Sequence, residues 1–402
     1  MSRLDELIEE LCPDGVEYKS IGELASEIFR GSGIKREDVT SDGVPCVRYG
    51  EIYTTYGIWF DKCVSHTQLD KIQSPKYFEH GDILFVITGE SVEDIAKSTA
   101  YVGHDKCLAG GDIVVVKHKQ DPKYISYALS TNNARKQKSA GKVKSKVVHS
   151  SVPSIASIVI PVPPLPVQQE IVRILDSFTE LTAELTAELE ARKKQYQYYQ
   201  KKLLSFGPQV HWTALGEIGK VSMCKRIMKN ETSVSGDVPF YKIGTFGKQA
   251  DAYISKQTFE HYKSEFSYPK KGDILISAAG TIGRTVVFDG SPAYFQDSNI
   301  VWLANDERYV LNSFLYYWYQ TKPWKISTGG TIARLYNDNI AGAKVPIVPI
   351  DEQKKIVNAL DRFNAVCNDI SCGLPAEIAA RQKQYEYYRD KLLNFKQVEV
   401  TP

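Results

Sequence analysis

Residues 191–206 read ARKKQYQYYQKKLLSF and residues 380–395 read ARQKQYEYYRDKLLNF, so that eleven of the sixteen positions are identical. The similarity continues upstream, where Leu175-Asp176 returns as Leu360-Asp361. A repeat of this length predicts two copies of one structural unit and a pseudo-twofold molecule. Its partners or its ligand are then expected to be twofold as well.

Each copy carries the seam of a long helix. From Ile171 to Phe206 the apolar and aromatic residues recur in alternating steps of four and three, which is typical of a coiled coil. No glycine or proline interrupts this run, so the sequence predicts one helix from about 167 to 206, spanning ~60 Å at ~1.5 Å per residue. The second copy has the same seam, with a break at Gly373-Leu374-Pro375. Because a whole domain separates the two helices, we expect them to pair antiparallel.

The segments between the helices are also related, more weakly. VPCVR at 44–48 matches VPFYK at 238–242, and GDIL occurs at both 81–84 and 272–275. Each segment mixes apolar β-rich runs with glycine turns and a few helical stretches. The predicted fold is α+β, with two similar domains that are separated and joined by two long helices in an antiparallel coiled coil. The predicted boundaries are 1–157 and 207–342 for the domains, 158–206 and 343–396 for the helices, and 397–402 for a tail.

Charge is unevenly distributed in a chain whose net charge is only +2. Nine lysines or arginines and a single acid, Asp121, lie between Lys117 and Lys146. A second basic run lies at 220–229, and the alternative for either run is an ordinary solvated face. No run of 18 apolar residues is present, and the seven cysteines include no C-x-x-C pair. These features favour a reducing, cytoplasmic location without a membrane partner.

Sequence motifs for catalysis are missing. The chain has no G-x-G-x-x-G loop opening a strand–helix unit, no phosphate-binding G-x-x-x-x-G-K-[ST], no H-E-x-x-H and no cysteine or histidine cluster at zinc spacing. Gly280-Thr281-Ile282-Gly283 is more typical of a structural loop than of a phosphate cradle. The pattern favours a recognition protein over an enzyme.

Taken together, these features resemble the specificity subunit of type I DNA restriction-modification systems. The residues that carry the resemblance are the entry segment 16–24 with its copy at 210–218, the junction 163–172 and the paired helix ends. Ser277 to Arg284 and Tyr294 to Asn299 are also similar to that family. The resemblance covers essentially the full length.

The resemblance implies that each variable domain is a target-recognition domain that reads one half of an interrupted sequence in double-stranded DNA. It implies that the helices set the separation of the half-sites and dock two modification (methyltransferase) subunits, which restriction (endonuclease and translocase) subunits join. The chain itself is then not catalytic and binds no cofactor. S-adenosylmethionine, ATP and Mg are expected on the partner subunits.

Candidate DNA contacts follow from residue chemistry alone, because no family motif fixes them. Basic side chains suit phosphate anchors, and Arg, Lys, Asn and Gln are the usual base readers. The candidates in the first domain are Arg135, Lys136, Lys138, Lys142, Lys144 and Lys146, with 88–91 as a candidate reading loop. The candidates in the second domain are Lys225, Arg226, Lys242, Thr281, Arg284, Gln296, Lys325 and Arg334. Each has the alternative of being an ordinary surface residue.

Two tyrosines lie off the seam in both copies. Tyr196, Tyr199, Tyr385 and Tyr388 lie on the seam and are expected in the core. Tyr198 and Tyr387 do not, and aromatic residues are enriched at protein interfaces. They are therefore predicted to dock the partner subunits.

A tandem unit inside the first helix suggests a ruler. Thr182-Ala183-Glu184-Leu185 is followed at once by Thr186-Ala187-Glu188-Leu189. One unit is ~6 Å of helix, comparable to one or two base pairs at ~3.4 Å each. The hypothesis is that the unit sets the spacer of the target, and the alternative is a helical filler.

Three other functions stay open at this stage. One is an enzyme, a fused methyltransferase or nuclease, although the cofactor motif that a methyltransferase would need is missing. A non-DNA adaptor presenting two α+β protein-binding domains would show little salt-sensitive DNA affinity. A subunit that serves methylation alone, without a restriction partner, has the same sequence features as the restriction system.

Overall fold

A computed structural model describes residues 2–89, 91–140, 147–325 and 334–398. Contacts divide the chain into two compact units. The first unit comprises residues 1–186 together with 377–402, and the second comprises residues 187–376.

The first unit is an α+β domain. Its helices are α1 (Arg3–Leu11), α2 (Ile21–Leu24), α3 (Tyr49–Thr54), α4 (Pro122–Ser130), α5 (Asn132–Ser139), α6 (Val152–Ala156) and the first half of α7 (Leu165–Leu203). Its strands are β1 (Tyr18–Ser20), β2 (Ala25–Arg30), β3 (Val39–Thr40), β4 (Val44–Val47), β5 (Trp59–Phe60), β6 (Ser65–Thr67), β7 (Tyr77–Phe78), β8 (Ile83–Val86), β9 (Thr88–Gly89), β10 (Ser98–Tyr101), β11 (Cys107–Ala109), β12 (Ile113–His118), β13 (Val148–His149) and β14 (Val159–Pro161). Two five-stranded sheets, ordered β2-β12-β8-β10-β5 and β3-β6-β4-β11-β7, form its centre.

The second unit repeats this architecture with fewer strands. Its strands are β15 (His211–Ala214), β16 (Gly219–Met223), β17 (Val238–Tyr241), β18 (Tyr253–Ile254), β19 (Ile274–Ser277), β20 (Thr285–Val287), β21 (Tyr294–Phe295), β22 (Ile300–Asn305) and β23 (Lys344–Ile347). Its helices are the second half of α7, α8 (Leu215–Ile218), α9 (Lys256–Glu265), α10 (Asn312–Gln320), α11 (Asn337–Ala341) and α12 (Ile350–Asn368). The central sheets are ordered β16-β22-β19-β20 and β18-β17-β21. The last helix, α13 (Leu374–Leu392), begins in this unit and continues into the first.

Strand registers show that the two units share one fold. Strand β4 runs parallel to β11 with Cys46 opposite Leu108, and β17 runs parallel to β21 with Phe240 opposite Tyr294. In both units the strand that begins at the isoleucine of GDIL pairs antiparallel with the strand that follows this parallel pair. These pairs are β8 with β12 and β19 with β22. The predicted α+β class and the internal repeat are therefore confirmed.

The long helices agree with the seam pattern. Helix α7 runs uninterrupted for 39 residues, and the predicted break at 373–375 falls between α12 and α13. Helix α7 starts in the first unit and ends in the second, whereas α12 lies in the second unit and α13 ends in the first. Within the first unit Phe178 stacks on Tyr388, with ring centroids 5.5 Å apart. Within the second unit the equivalent rings, Tyr199 and Phe363, stack at 5.3 Å.

A buried glutamine ties each helix start to its own domain. The Gln168 amide oxygen accepts a hydrogen bond from the Asp121 backbone N–H at 3.1 Å, and its nitrogen donates to the Pro163 carbonyl at 2.7 Å. Gln353 makes the same pair of contacts, to the Leu311 N–H and the Val348 carbonyl, both at 2.8 Å. Satisfied buried polar groups fix geometry, since an unpaired one costs ~1–3 kcal/mol. Each helix therefore leaves its domain at a defined angle.

A second clamp lies two turns further along each helix. Asp176 accepts a hydrogen bond from the Tyr127 hydroxyl at 2.7 Å and pairs with Lys123, also at 2.7 Å. In the second unit Asp361 accepts from the hydroxyl of Tyr317. Hydrogen bonds to a charged group contribute about 1.5–3 kcal/mol each. These contacts hold each helix firmly against its own domain.

Candidate nucleic-acid interface

In the second unit, the loop Gln296–Asn299 lies where two parallel strands end, because β21 runs alongside β17. Ser298 has a φ of 52°, in the left-handed region that serine seldom adopts. The turn is held by the N–H of Ile300, which donates to the Gln296 carbonyl at 3.1 Å. Backbone strain of this kind clusters at binding sites, which makes the loop the centre of the candidate interface.

Two predicted arginines, from distant segments, bind this loop. Nε of Arg226 lies 2.9 Å from Oδ2 of Asp297, while 67% of the arginine side chain stays exposed. Nη2 of Arg334 donates to the Ser298 carbonyl at 2.9 Å. A guanidinium has five N–H donors in a rigid fork, so one held nitrogen aims the remaining donors. Both arginines are therefore oriented, and each retains further N–H donors that could bind a ligand.

Lys242, Gln296 and Arg226 line a cleft of about 430 Å³. Arg334 is not part of this lining, but it binds Ser298, which is. Lys242 follows β17 directly, and its Nζ lies 2.8 Å from the Asp251 carboxylate. The amide oxygen of Gln296 accepts a hydrogen bond from the Ile243 N–H at 2.9 Å. The structure therefore brings together four of the eight residues predicted for the second domain.

A neighbouring pocket of about 190 Å³ holds two more predicted residues, Thr281 and Arg284. They lie on the tight turn after β19, where the Ser277 N–H donates to the Arg284 carbonyl at 2.9 Å. Gly283 has a φ of 79°, and a Cβ there would lie 3.1 Å from the Trp324 ring, so only glycine fits the turn. Thr281 is exposed at the tip, whereas Arg284 is half-buried and donates to the Phe246 carbonyl at 2.9 Å.

The remaining two predicted residues of this domain are exposed at its surface. Lys225 adjoins Arg226, and its Nζ lies 5.2 Å from the centre of the Phe266 ring. Lys325 is exposed next to residues 326–333, which lie outside the described part of the chain. Both positions suit contacts with a phosphate backbone, and their role stays a prediction.

In the first unit the basic run gives a mixed result. Arg135 and Lys136 are exposed on α5. Lys138 is buried, with 8% of its surface exposed, and its Nζ donates to the Ser98 hydroxyl at 3.1 Å. Burial lowers the pKa of Lys138 to about 7. The prediction that Lys138 contacts DNA is wrong for this structure, because the helix turns this ammonium into the core.

Other predictions for the first unit fall partly on residues that are not described. Lys142, Lys144 and Lys146 lie outside the described residues, as does Glu90 of the candidate loop 88–91. Thr88 and Gly89 form β9, which pairs with β13.

The two off-seam tyrosines are equally exposed, at 62% each. Each stands edge-on to its seam neighbour, with 5.3 Å between the rings of Tyr198 and Tyr199 and between those of Tyr387 and Tyr388. Of the four seam tyrosines, Tyr385 is buried, Tyr196 and Tyr199 are half-buried, and Tyr388 is 36% exposed, so the prediction of a core position is wrong for Tyr388. Docking of a partner on this pair stays a prediction.

Neither metal nor membrane chemistry is evident in the described ranges. Within 2–89, 91–140, 147–325 and 334–398 no three His, Cys, Asp or Glu side chains are grouped to hold a metal ion. No helix in the same ranges is long and apolar enough to cross a membrane.

Comparison with known families places the chain. The family model for the type I restriction modification DNA specificity domain matches it twice, over residues 13–192 and 210–380. The chain belongs to this family. Each match covers one recognition domain of the specificity family and most of the helix that follows it, so the internal repeat is a repeat of the family's unit.

Curated relatives of this specificity chain come from several bacteria. A putative type I restriction enzyme specificity subunit from Haemophilus influenzae is 56% identical over 264 residues, which is 64% of this chain and 68% of the relative. A type I restriction enzyme specificity subunit from Escherichia coli is 35% identical over 250 residues, which is 59% of this chain and 61% of the relative.

Solved structures share the fold of this specificity chain at low sequence identity. A chain from a study of assembly and conformational transition in the type I R-M system aligns with a TM-score of 0.60 and 16% identity, covering 96% of this chain and 99% of that one. The S subunit of a type I restriction-modification system from M. genitalium aligns with a TM-score of 0.52 and 17% identity, covering 94% and 96%.

Sequence reasoning missed the residues that organise the site. Asp297 orients Arg226 from 71 positions away, and no local spacing signals such a pair. The repeated Leu-Asp pair marks Asp176 and Asp361 in the sequence, but their tyrosine partners lie on helices of weaker similarity. The signal that could have found them is the recurrence of a tyrosine, Tyr127 and Tyr317, in segments that otherwise differ.

Proposed function

We propose that this chain is the DNA-recognition subunit of a type I restriction-modification complex, each domain reading one half of a bipartite, interrupted target. The observation that carries the proposal is the double match to a DNA specificity domain over two α+β units of one fold. Two diverged readers on similar frames suit a target with two different halves.

The cleft around Gln296–Asn299 has the chemistry that base reading needs. Arginine binds guanine O6 and N7 in a bidentate manner, and glutamine binds adenine N6 and N7. Arg226 and Arg334 are each held at one nitrogen, so less side-chain entropy is lost when they bind. Lys225 and Lys325 supply phosphate contacts that position the duplex without reading it.

The helices connect recognition to the partners. In this proposal two modification subunits dock on the surfaces around Tyr198 and Tyr387, and restriction subunits join that core. An exposed aromatic ring packed edge-on against a seam residue is a rigid anchor of the kind that dominates interfaces. Equal exposure in both copies suits two identical partners.

Chemistry is assigned to those partners. S-adenosylmethionine, ATP and Mg are proposed to bind to the modification and restriction subunits, whereas this chain chooses the site at which they act. In this proposal the residues of this chain bind, orient and space the DNA and take no part in catalysis.

Methylation mapping tests the proposal. The chain is expressed with its neighbouring modification subunit in a host free of DNA methylation, and methylated adenines are located genome-wide, with each subunit alone as the control. We expect an interrupted two-part motif only when both proteins are present. No new methylation from a folded, associated pair would instead favour the adaptor for protein partners.

A further inference from the structure

The cleft of the second unit has a counterpart in the first unit that the basic run did not reveal. Its position follows from hydrogen bonds that the two units share. The N–H of Gln296 donates to the Tyr241 carbonyl at 2.9 Å, and the N–H of Gly110 donates to the Val47 carbonyl at 2.8 Å. The residue that follows the acceptor strand is Lys242 in the second unit. In the first unit it is Arg48.

A second shared hydrogen bond locates the counterpart of Arg334. The N–H of Leu335 donates to the Ala278 carbonyl at 2.9 Å, and the N–H of Ser150 donates to the Ile87 carbonyl at 2.8 Å. The preceding residue is Arg334 in the second unit and His149 in the first. His149 is exposed, and its Nδ1 lies 3.3 Å from the Thr88 hydroxyl.

An arginine–aspartate pair completes the correspondence. Nη2 of Arg30, at the end of β2, lies 2.8 Å from the Asp112 carboxylate in the loop between β11 and β12. Arg226 lies just after β16 and pairs with Asp297 between β21 and β22. Nε of Arg30 also donates to the Gly111 carbonyl. Both arginines therefore bind the loop that follows the parallel strand pair, and both remain more than half exposed.

Hydrogen bonds and one ion pair connect the segments that carry these counterparts. Gly110 bonds to the strand that ends at Val47, and the Ile87 N–H donates to the Asp112 carbonyl at 3.0 Å. Arg30 pairs with the same Asp112, and His149 is anchored next to Ile87 through Thr88. Arg48 is about one-third exposed, with its Nε 3.4 Å from the Glu51 carboxylate.

We propose that Arg30, Arg48 and His149 form the sequence-reading surface of the first domain, in place of helix α5. The inference rests on the proposed function and assigns residues to its first half. Helix α5 is committed to packing: the amide of Gln137 both donates to and accepts from the backbone of Val159, and Lys138 is buried. Its exposed charges, Arg135 and Lys136, serve as phosphate contacts.

The two surfaces differ where their loops differ. Gln296 has Gly110 as its counterpart, and a Cβ on Gly110 would lie 2.9 Å from the Val47 carbonyl oxygen. The first surface therefore lacks the amide reader, and its backbone leaves no room for one. Because the readers are Arg and His on one side and Lys, Gln and Arg on the other, the two half-sites should not be copies of each other.

The test uses the full chain with its modification subunit and maps the methylated motif. Arg48→Gln and His149→Gln are each expected to change the base preference at one position of one half-site. For Arg48 the change should be about tenfold, because a bidentate base contact is worth ~1–3 kcal/mol. Lys242→Gln should relax the other half-site. The control Arg135→Gln/Lys136→Gln should keep the motif and lower only the salt dependence of binding.

Each outcome decides between the assignments. The half-site that stays intact in the same molecule reports correct folding, and Arg48→Lys, which retains the charge beside Glu51, should relax the same base as Arg48→Gln. If the Arg48 and His149 variants keep the motif while the α5 control changes it, the assignment is overturned and the basic run is the reader. If the unaltered complex yields no bipartite motif, the proposed function itself fails.

Discussion

Deleting Thr186 to Leu189 should shorten the spacer of the DNA target by one base pair. The deletion removes four residues from the middle of α7, which is ~6 Å of helix and a rotation of ~40° beyond a full turn. One base pair of DNA contributes a rise of ~3.4 Å and, at ~10–10.5 base pairs per turn, a rotation of ~35°. The rotation matches one base pair closely, and the rise lies between one and two.

Packing should tolerate this change. The buried residues of α7 end at Leu175, so the deleted segment carries no fully buried side chain, and only its seam residue Leu189 is half-buried. The second long helix is interrupted, because α12 and α13 are separated by the non-helical segment 369–373, where Ile370 is 86% exposed. A junction of this kind can adjust when the opposite helix is shortened.

The assay is again methylation mapping, now comparing the deletion with the intact chain. Both half-sites should keep their sequence while the number of unspecified bases between them falls by one. Exchanging Thr186 to Leu189 for four alanines, which retains the length, is the matched control and should leave the spacer unchanged. An unaltered spacer after the deletion, in a complex that still methylates, would refute the ruler.

Two further predictions concern the core and the helix surface. Lys138→Met should raise the free energy of unfolding at pH 7, because it removes a buried group that is costly to charge. The pKa of Lys138 is about 7 in the folded protein, below its value in the unfolded chain. The wild type therefore gains ~1.4 kcal/mol of stability per pH unit from 7 towards 10.5. The advantage of the variant in urea unfolding should therefore narrow as the pH rises, and a constant difference would contradict the burial argument. Tyr198→Ser with Tyr387→Ser should weaken binding of the modification subunit ~30-fold or more if these tyrosines are hot spots, with DNA affinity unchanged. The control in the pull-down assay is Tyr309→Ser, which changes a tyrosine that is 54% exposed and lies outside the long helices. If this control loses as much binding as the double variant, specific docking on Tyr198 and Tyr387 is excluded.

The helices could be predicted from sequence because their signal is local. Steps of four and three place the apolar residues of α7 on one face, whatever structure the rest of the chain adopts. Gly373 with Pro375 marks the break between α12 and α13. The α+β class and the internal repeat were likewise readable, since GDIL and the strand before Arg48 recur at the same register. These features depend on periodicity or on duplicated sequence.

The interface could be predicted only in part. Arg226, Lys242, Gln296 and Arg334 were chosen by side-chain type, and the structure brings them together because β21 and β17 are parallel and end at one edge. Composition does not show which way α5 faces, so the sequence predicts Lys138 at the surface, although it is in the core. Arg48 is the sequence counterpart of Lys242, but a single arginine outside a basic run does not by itself indicate a DNA contact.

Exchange of one domain tests the central claim most directly. Residues 207–342 are replaced by the corresponding segment of a relative that recognises a different target, and the hybrid is mapped with the original modification subunit. The account predicts that one half-site changes to that of the relative while the other half-site stays as before. A hybrid that methylates the original motif unchanged, or changes both halves, would contradict the claim that each domain reads its own half.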